Sequence, residues 1–481
     1  MQARSVTWSL LRGGLRLDGH KERSTARPVR AASVPQTLRV TLDQHAGDAA
    51  VPIVAVGDLV QMCQPIAKPA GQISAWIHAP VSGRVAAIEQ QPSPEVSAHP
   101  YIAIENDGRD AHFEHDRIDY TALTPLALCE HIARGGIVGL GGAVFPTATK
   151  LLQAGSKPHL ILNGAECEPW ISCDDMLMRE RAVDVVLGAQ VLAYAMNAAE
   201  CTIAIEDDLT QARAALETAI AGTNMRLAVV PSIYPAGGER QLIKALTDRE
   251  VPSGGLPQDI SIVCQNVGTA AAVARWVRDG QPLISRIVTV TGSAVREPCN
   301  LEARIGTPVA SLVADCGGYA QEAAQLIMGG SMMGIALASD TNPVVKGTNC
   351  VILAASDDLH PRGAEMPCIR CGNCSVVCPA YLLPQQLHWH AQAGDVSELE
   401  RLGLMDCIEC GCCDYVCPSQ IPLVERFREA KPAVAARLDA RHDAARWRES
   451  FESRQQRLAR LEQEQRARLE EKRRQLIGRK S

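Results

Sequence analysis

CIRCGNCSVVCP (residues 368–379) and CIECGCCDYVCP (residues 407–418) are two copies of one motif. They agree at eight of twelve positions across an offset of 39 residues. Cys368, Cys371, Cys374 and Cys378 follow C-x2-C-x2-C-x3-C-P, and so do Cys407, Cys410, Cys413 and Cys417. Three thiolates at three-residue steps wrap around one corner of an iron–sulfur cube, while the fourth points away and caps a second cube. The spacing therefore predicts one [4Fe–4S] cluster on Cys368, Cys371, Cys374 and Cys417, and another on Cys407, Cys410, Cys413 and Cys378. Gly372 and Gly411 lack side chains where the backbone must curl close to sulfide, and Pro379 and Pro418 turn the chain away. A zinc ribbon normally uses two separated C-x2-C pairs, which is not this pattern. Cys412 is off the spacing and reads as a small packing residue.

The composition around this repeat is that of a globular chain. Its 481 residues, at about 150 per domain, suggest about three domains. Hydrophobic residues make up 46% and charged residues 21%, which excludes disorder throughout. No run of about 20 apolar residues marks a membrane span, and the first residues lack the apolar core of a secretory signal. Nine of the 18 cysteines lie between Cys368 and Cys417. A long chain with so tight a cluster fits a reducing compartment better than a secreted disulfide framework. Glu425–Ser481 holds 17 Lys and Arg against 10 Asp and Glu, so an acidic body ends in a basic tail.

The pattern suggests a multidomain α/β and α+β chain. Residues 1–35 are Arg-rich and aperiodic and read as an extended arm. Residues 36–116 alternate apolar and polar positions between Gly and Pro breaks, as a small β domain of barrel-sandwich type would. From 121 to 267, helical stretches alternate with buried-strand runs (HLILNGA, CTIAIED, RLAVVPSIY), which argues for a largely parallel sheet covered on both faces. Residues 282–356 return to short strands around one helix. The cysteine segment spans 360–424. A charged helical tail follows over 425–481, with Glu462–Arg466, Glu464–Arg468 and Glu470–Arg474 at i,i+4 spacing.

A second chemical signal is GGIVGLGGAVFPTATK (135–150). Gly139, Gly141 and Gly142 let backbone N–H groups approach a phosphate, a helix from Thr147 adds its positive end, and Lys150 adds a point charge. NGAECEPW (163–170) follows a buried strand and sets Glu166 and Glu168 where open α/β sheets bind ligands. In YPAGGERQL (234–242) a Gly pair precedes Glu239, and in QNVGTAAAVA (265–274) Gln265 and Asn266 precede a helix. Each of these stretches also has a bland reading, as a ligand-free turn, a solvated loop or a helix cap.

Together with IMGGSMMG (327–334), KGTNC (346–350), GGLRLDGHKERS and the paired cysteine motifs, these stretches resemble the RnfC family, the C component of the Rnf electron transport complex, over nearly the whole chain. The flavin-binding part of that family is similar to the NADH-oxidising subunit of respiratory complex I. The resemblance implies that the Gly141–Lys150 loop with Asn163, Glu239 and Asn266 holds FMN. It implies that Phe145, Glu166 and Glu168 face the nicotinamide nucleotide, and that GTPVASLVADCGG (306–318) belongs to a soluble ligand-binding β-grasp module. Val144 stands where the respiratory subunit has a glycine, and Ala165 where it has an acid.

The function expected on that basis is a peripheral electron-input subunit at the cytoplasmic side of the inner membrane. Electrons would pass between NAD(H), FMN and two [4Fe–4S] clusters, with the other membrane subunits of the complex and ferredoxin or another acceptor as partners, and no nucleic acid. The flavin and clusters carry the redox chemistry, so no side chain is required as acid, base or nucleophile. Nothing in this chain reads as an ion path, which leaves the coupling to other subunits. The basic tail would meet a partner or the anionic leaflet, or act as a solvated helix. Two alternatives are a soluble reductase of the cobalamin-reductase type and a cluster-bearing scaffold without a nucleotide site.

Overall fold

A computed structural model describes residues 13–89, 99–359 and 363–478 together with the strand Arg4–Ser5, with side chains in the last helix described through 472. The chain divides into two compact units: Met1–Tyr381 with Cys410–Ile421, and Leu382–Glu409 with Pro422–Ser481. The segment 360–424, expected as one ferredoxin domain, contributes to both.

In the first unit, the region 36–116 forms the expected small β domain. A four-stranded antiparallel sheet runs in the order Thr37–Thr41, Tyr101–Asn106, Gly83–Glu89 and Leu59–Val60. A three-stranded sheet comprises Val51–Pro52, Pro65–Lys68 and Ile77–His78. The alternation in TLRVT puts Leu38 and Val40 inward, where they join Ile66, Ile77, Val85, Ile102 and Ile104 in the core.

The α/β region holds a parallel sheet with spatial order Arg4–Ser5, Arg226–Val230, Glu200–Glu206, His159–Gly164 and Ile262–Asn266. Its central strands are buried nearly end to end, which is why they read as continuous apolar runs. From His159–Gly164 the chain winds outward through two strands, then crosses back to place Ile262–Asn266 on the other side. The strand order therefore reverses beside His159–Gly164, and a crevice forms at the carboxyl ends of such a pair.

A six-stranded sheet follows in the order Ile335–Leu337, Gln325–Met328, Cys350–Ala354, Ser285–Thr291, Cys299–Arg304 and Arg30–Ala31. The helix Val309–Asp315 packs its Val309, Leu312 and Val313 into a separate core with Val288, Val290, Leu301 and Val351. The described residues among 1–35, expected as an extended arm, pair with elements of the unit. Arg4–Ser5 extends the parallel sheet, Leu15 bridges to Tyr234, Glu22–Thr25 is a short helix, and Arg30–Ala31 closes the edge of the six-stranded sheet.

The second unit is helical. Pro384–Ala393 and Val396–Arg401 pack on the long helix Leu423–Gly478. Glu400 pairs with Arg437 and Arg441, and Glu409 with Arg428 and Lys431. Within 454–472 the described ion pair is Arg460–Glu464 at 3.8 Å, not Glu462–Arg466 or Glu464–Arg468. The charges of this exposed stretch offer several neighbours of nearly equal worth. The Arg474 side chain of the third expected pair lies outside the described residues.

The helices Cys173–Ala195 and Val267–Asp279 cover one face of the parallel sheet and meet at Gly188. A Cβ there would sit 1.8 Å from the Ala270 carbonyl oxygen and 2.9 Å from its Cα. Backbone cannot yield as a side-chain tip can. Gly188→Ala is expected to lower stability by about 2–3 kcal/mol, measured by thermal or urea unfolding of the purified chain. A change under about 0.5 kcal/mol, the range of neutral surface substitutions, would contradict this packing.

Candidate functional site

The crevice beside His159–Gly164 collects the sequence motifs. Asn163 closes its strand: its Oδ1 accepts from Ala165 N at 3.0 Å, and its Nδ2 donates to Gly237 O at 2.7 Å. The YPAGG loop thereby packs on the NGA loop so closely that a Cβ on Gly237 would stand 2.1 Å from Ala165 O. Asn266 caps the helix Val267–Asp279 through Gly268 N at 2.8 Å and donates to Asp174 at 2.5 Å. Gly141 lies against Asn266, where a Cβ would approach the Asn266 Cβ to 3.3 Å. Gly139 N donates to Phe145 O at 2.8 Å and closes the glycine loop around half-buried Phe145. Gly142 has φ +108° and nothing within 4 Å of a would-be Cβ. Lys150 and Glu239 form an ion pair at 2.5 Å. The helix from Thr147 is confirmed, as Thr147–Leu152, but is too short to add much dipole.

The two carboxylates differ. Glu166 is buried at the start of the helix Cys173–Ala195, where Oε1 accepts from Asp174 N at 3.0 Å and Oε2 from Asp175 N at 3.2 Å. Burial, with the nearby Asp174 charge, pushes its pKa up to about 8. Glu168 turns to the IMGGSMMG loop, and its Oε1 accepts from Met332 N at 2.7 Å and Met333 N at 2.8 Å. Oε1 of Glu168 is thus engaged by main chain rather than open to a nucleotide.

Sequence reasoning did not single out Lys21 and Glu206. Lys21 Nζ donates to the Glu166 carbonyl oxygen and to Glu206 Oε2, the latter at 3.3 Å. Burial alone would lower Lys21, but Glu206, Glu166 and Asp208 outweigh it and hold the ammonium protonated. Glu206 ends the strand Glu200–Glu206, is 1% exposed, and is pushed up to about 7 by burial, against the pull of Lys21. The available signal was an acid ending a buried strand and one lysine in the arm. Glu166, Cys173 and Asp174 converge within 4.8 Å, a group that could hold a cation. Arg286 and Lys21 already face these acids with positive charge.

The crevice fits a flavin mononucleotide by the chemistry of its lining. Buried Gln265 Nε2 and Thr147 Oγ1 have no partner, and they flank a glycine loop with open space at Gly142. Unused donors of this kind suit a heterocycle with carbonyl and ring-nitrogen edges. Val144, in the glycine position, has φ +43°, a conformation costly for a β-branched residue. Its side chain lies against Gly347, whose would-be Cβ stands 3.1 Å from Val144 Cγ1.

The cysteine loops fit clusters in their backbone. Arg370, Gly372 and Tyr381 have φ of 58°, 81° and 56°, while Glu409, Gly411 and Gln420 have 57°, 80° and 55°. One-turn helices follow at Asn373–Val376 and Cys412–Tyr415. Cys412 is fully buried and its thiol bonds to Cys410, as a packing residue would. In the first unit, Tyr234 Oη donates to Cys410 O at 2.5 Å and Gly14 N to Val377 O at 2.9 Å, so both cysteine loops dock on the module that carries the crevice.

Removing the ammonium tests the buried charges. Lys21→Met leaves Glu206 without its cation, so its folded pKa rises further above the unfolded value. The folded state then binds a proton that the unfolded state does not, and stability falls as pH rises. The variant is expected to lose little at pH 5 and about 2–3 kcal/mol at pH 8, read from denaturant unfolding at both pH values. An equal loss at both would rule out this pairing.

Comparison with known proteins follows the same modules. Residues 9–109 match the RnfC barrel sandwich hybrid domain, 132–275 the Nuo51 FMN-binding domain, 287–336 the SLBB domain and 366–421 a 4Fe-4S dicluster domain. A Pseudomonas aeruginosa protein, named as the C component of an ion-translocating oxidoreductase complex, is 48% identical over 456 residues, which cover 94% of this chain and 59% of that one. A Rhodobacter capsulatus protein of the same name is 43% identical over 439 residues, covering 90% and 84%. The chain thus spans about three fifths of the Pseudomonas relative and most of the Rhodobacter one. An NAD+-reducing [NiFe]-hydrogenase structure aligns at TM-score 0.44 with 20% identity over 60% of each chain. With an FMN-binding domain and a 4Fe-4S dicluster domain in place, the chain belongs to the RnfC family of ion-translocating oxidoreductase complex components.

Proposed function

We propose that the chain is the electron-input subunit of an ion-translocating oxidoreductase complex, passing electrons between NAD(H), FMN and two [4Fe–4S] clusters. The observation that carries this reading is the Tyr234–Cys410 hydrogen bond. It joins the loop that leads to Glu239 directly to a cysteine loop, so the flavin crevice and Cys410 are in direct hydrogen-bonded contact. Bound FMN supplies an acceptor for two electrons that is able to release them singly to clusters.

The residues' own work is binding and charge control. Gly139, Gly141 and Gly142 leave room for phosphate and ring. Lys150, held by Glu239, supplies positive charge. Asn163 and Asn266 shape the crevice floor, and Gln265 and Thr147 offer unused polar groups. Phe145, Glu166 and Glu168 are the side of the crevice assigned to the nucleotide, and both carboxylates need their main-chain contacts to loosen first. Glu166 and Glu206, raised by burial against the pull of Lys21, are groups that can take up a proton as negative charge is added nearby.

By motif spacing, Cys368, Cys371, Cys374 and Cys417 ligate one cluster and Cys407, Cys410, Cys413 and Cys378 the other. In this reading the complex sits at the inner membrane with this chain on the cytoplasmic side. Other subunits carry the ions, and ferredoxin or another acceptor exchanges electrons through them. No helix among the described residues is long and apolar enough to cross a membrane.

Anaerobically purified chain is expected to release flavin on extraction and to bleach in its visible absorption when titrated with NADH. Clusters without flavin, unmoved by NADH, would leave only the scaffold reading. Reduction of a corrinoid by the isolated chain would favour the soluble reductase. Cys417→Ala is expected to degrade the cluster whose other ligands are Cys368, Cys371 and Cys374. Loss of the other EPR signal instead would overturn the crossed ligation.

A further inference from the structure

Two thiols outside the electron route lie beneath the strand Arg30–Ala31. Cys299 opens the strand Cys299–Arg304 and Cys316 caps the helix Val309–Asp315. Both are fully buried in one core, and their sulfurs are 3.3 Å apart. Arg30, whose side chain is exposed, reaches down to place Nη2 at 3.5 Å from Cys299 Sγ, and also bonds the Asp315 carbonyl. The Cys316 hydrogen bond first, then Arg30, draw the Cys299 thiol down to about 6 against its burial. Cys316, its hydrogen-bond partner, is pushed the other way. Two sulfurs 3.3 Å apart with a guanidinium beside one of them have the arrangement of an attacking and a resolving thiol, and the shifts favour Cys299 as the attacker. Other buried thiols, such as Cys201 and Cys264, are raised by burial to about 12 and stay inert.

Access lies through a thin cover. Arg30–Ala31 is a two-residue strand at the sheet edge, exposed at both positions. It is held by Ala32 N to Glu302 O and by Ser33 to the Asp315 carboxylate. So short an edge opens at far lower free energy than the core beneath it. Both sulfurs belong to one module, so a bond between them needs a closing movement of about 1.3 Å to the usual 2.05 Å and no domain rearrangement.

We propose that Cys299 and Cys316 form a thiol–disulfide exchange site that takes low-molecular-weight disulfides. The Cys299 thiolate attacks one sulfur of R–S–S–R, and a mixed disulfide forms as R–S⁻ leaves and takes a proton from water. Cys316 then gives up its proton and attacks the Cys299 sulfur. The second R–S⁻ leaves with that proton, and a Cys299–Cys316 disulfide remains. Two protein thiols are oxidised and one small disulfide is reduced to two thiols, with no other oxidant.

The test uses the full chain, purified anaerobically with its clusters, incubated with glutathione disulfide, quenched by alkylation and mapped by mass spectrometry. A peptide linking Cys299 to Cys316, undone by excess reduced glutathione, is expected. Cys316→Ser is expected to accumulate a glutathione adduct on Cys299, because the resolving sulfur is gone. Arg30→Ala, which removes the guanidinium beside Cys299 and its bond to the Asp315 carbonyl, is expected to slow linkage by about tenfold near pH 6.5 through loss of thiolate. Recovery of both cysteines as free thiols in the unsubstituted chain would overturn the proposal. So would a Cys316→Ser chain that melts normally yet carries no adduct on Cys299.

Discussion

Carboxylates withdrawn from water at the carboxyl edge of a parallel sheet must find hydrogen bonds or opposite charge, and Glu166 and Glu206 impose that demand on the first unit. Glu166 takes main-chain N–H groups from the start of a helix. Glu206 has Lys21, which is 185 residues away in sequence. Meeting that need draws the arm across the crevice. His20 stacks on Trp170 at 4.3 Å between centroids, Arg23 lies over the same ring, and Trp170 N donates to Gly19 O at 2.7 Å. Once held there, the arm continues to its strand against Leu301 and Glu302. An aperiodic Arg-rich stretch becomes ordered because one buried ammonium has a place to go.

The modules are then joined loop to loop, at points where side chains are missing. Gly237 lets the YPAGG turn lie on Ala165, and Gly330 lets the IMGGSMMG loop close over Glu168. Tyr234 carries the contact on to Cys410. A buried hydroxyl has to find an acceptor, and here it finds the carbonyl of a residue in the cysteine spacing. These contacts tie the crevice to that loop within the first unit.

Much of this was legible in the sequence for definite reasons. HLILNGA and CTIAIED are buried on both faces, so their apolar runs are unbroken and the parallel sheet could be read. The glycine loop and Asn266 stood out by residue type at the ends of elements, whereas Asn163 came only through the family resemblance. The reversal of strand order that makes the crevice was not legible, because periodicity carries no information about which strand neighbours which. Nor was the Lys21–Glu206 pair, since nothing local links residues so far apart. Glu168 looked equivalent to Glu166 two positions away. Both bind main-chain N–H groups, and only the fold shows that Glu166 takes them from a helix start while Glu168 takes them from the loop of Met332 and Met333.

The cysteine repeat shows how selection acts on the two sides of one loop. Three left-handed positions recur at an offset of 39 residues, two of them at non-glycine residues in each copy. Such conformations cost free energy for residues with a Cβ, so their recurrence means the inward curl is required in both places. The outward side chains are under no such requirement. Arg370 in the first copy corresponds to Glu409 in the second, and Glu409 binds Arg428 and Lys431 of the long helix within its own unit. Backbone shape is shared because both copies have the same kind of object to enclose. Glu409 answers to those two cations and not to the enclosed object, and a motif match alone therefore reports the enclosed object and nothing of the surroundings.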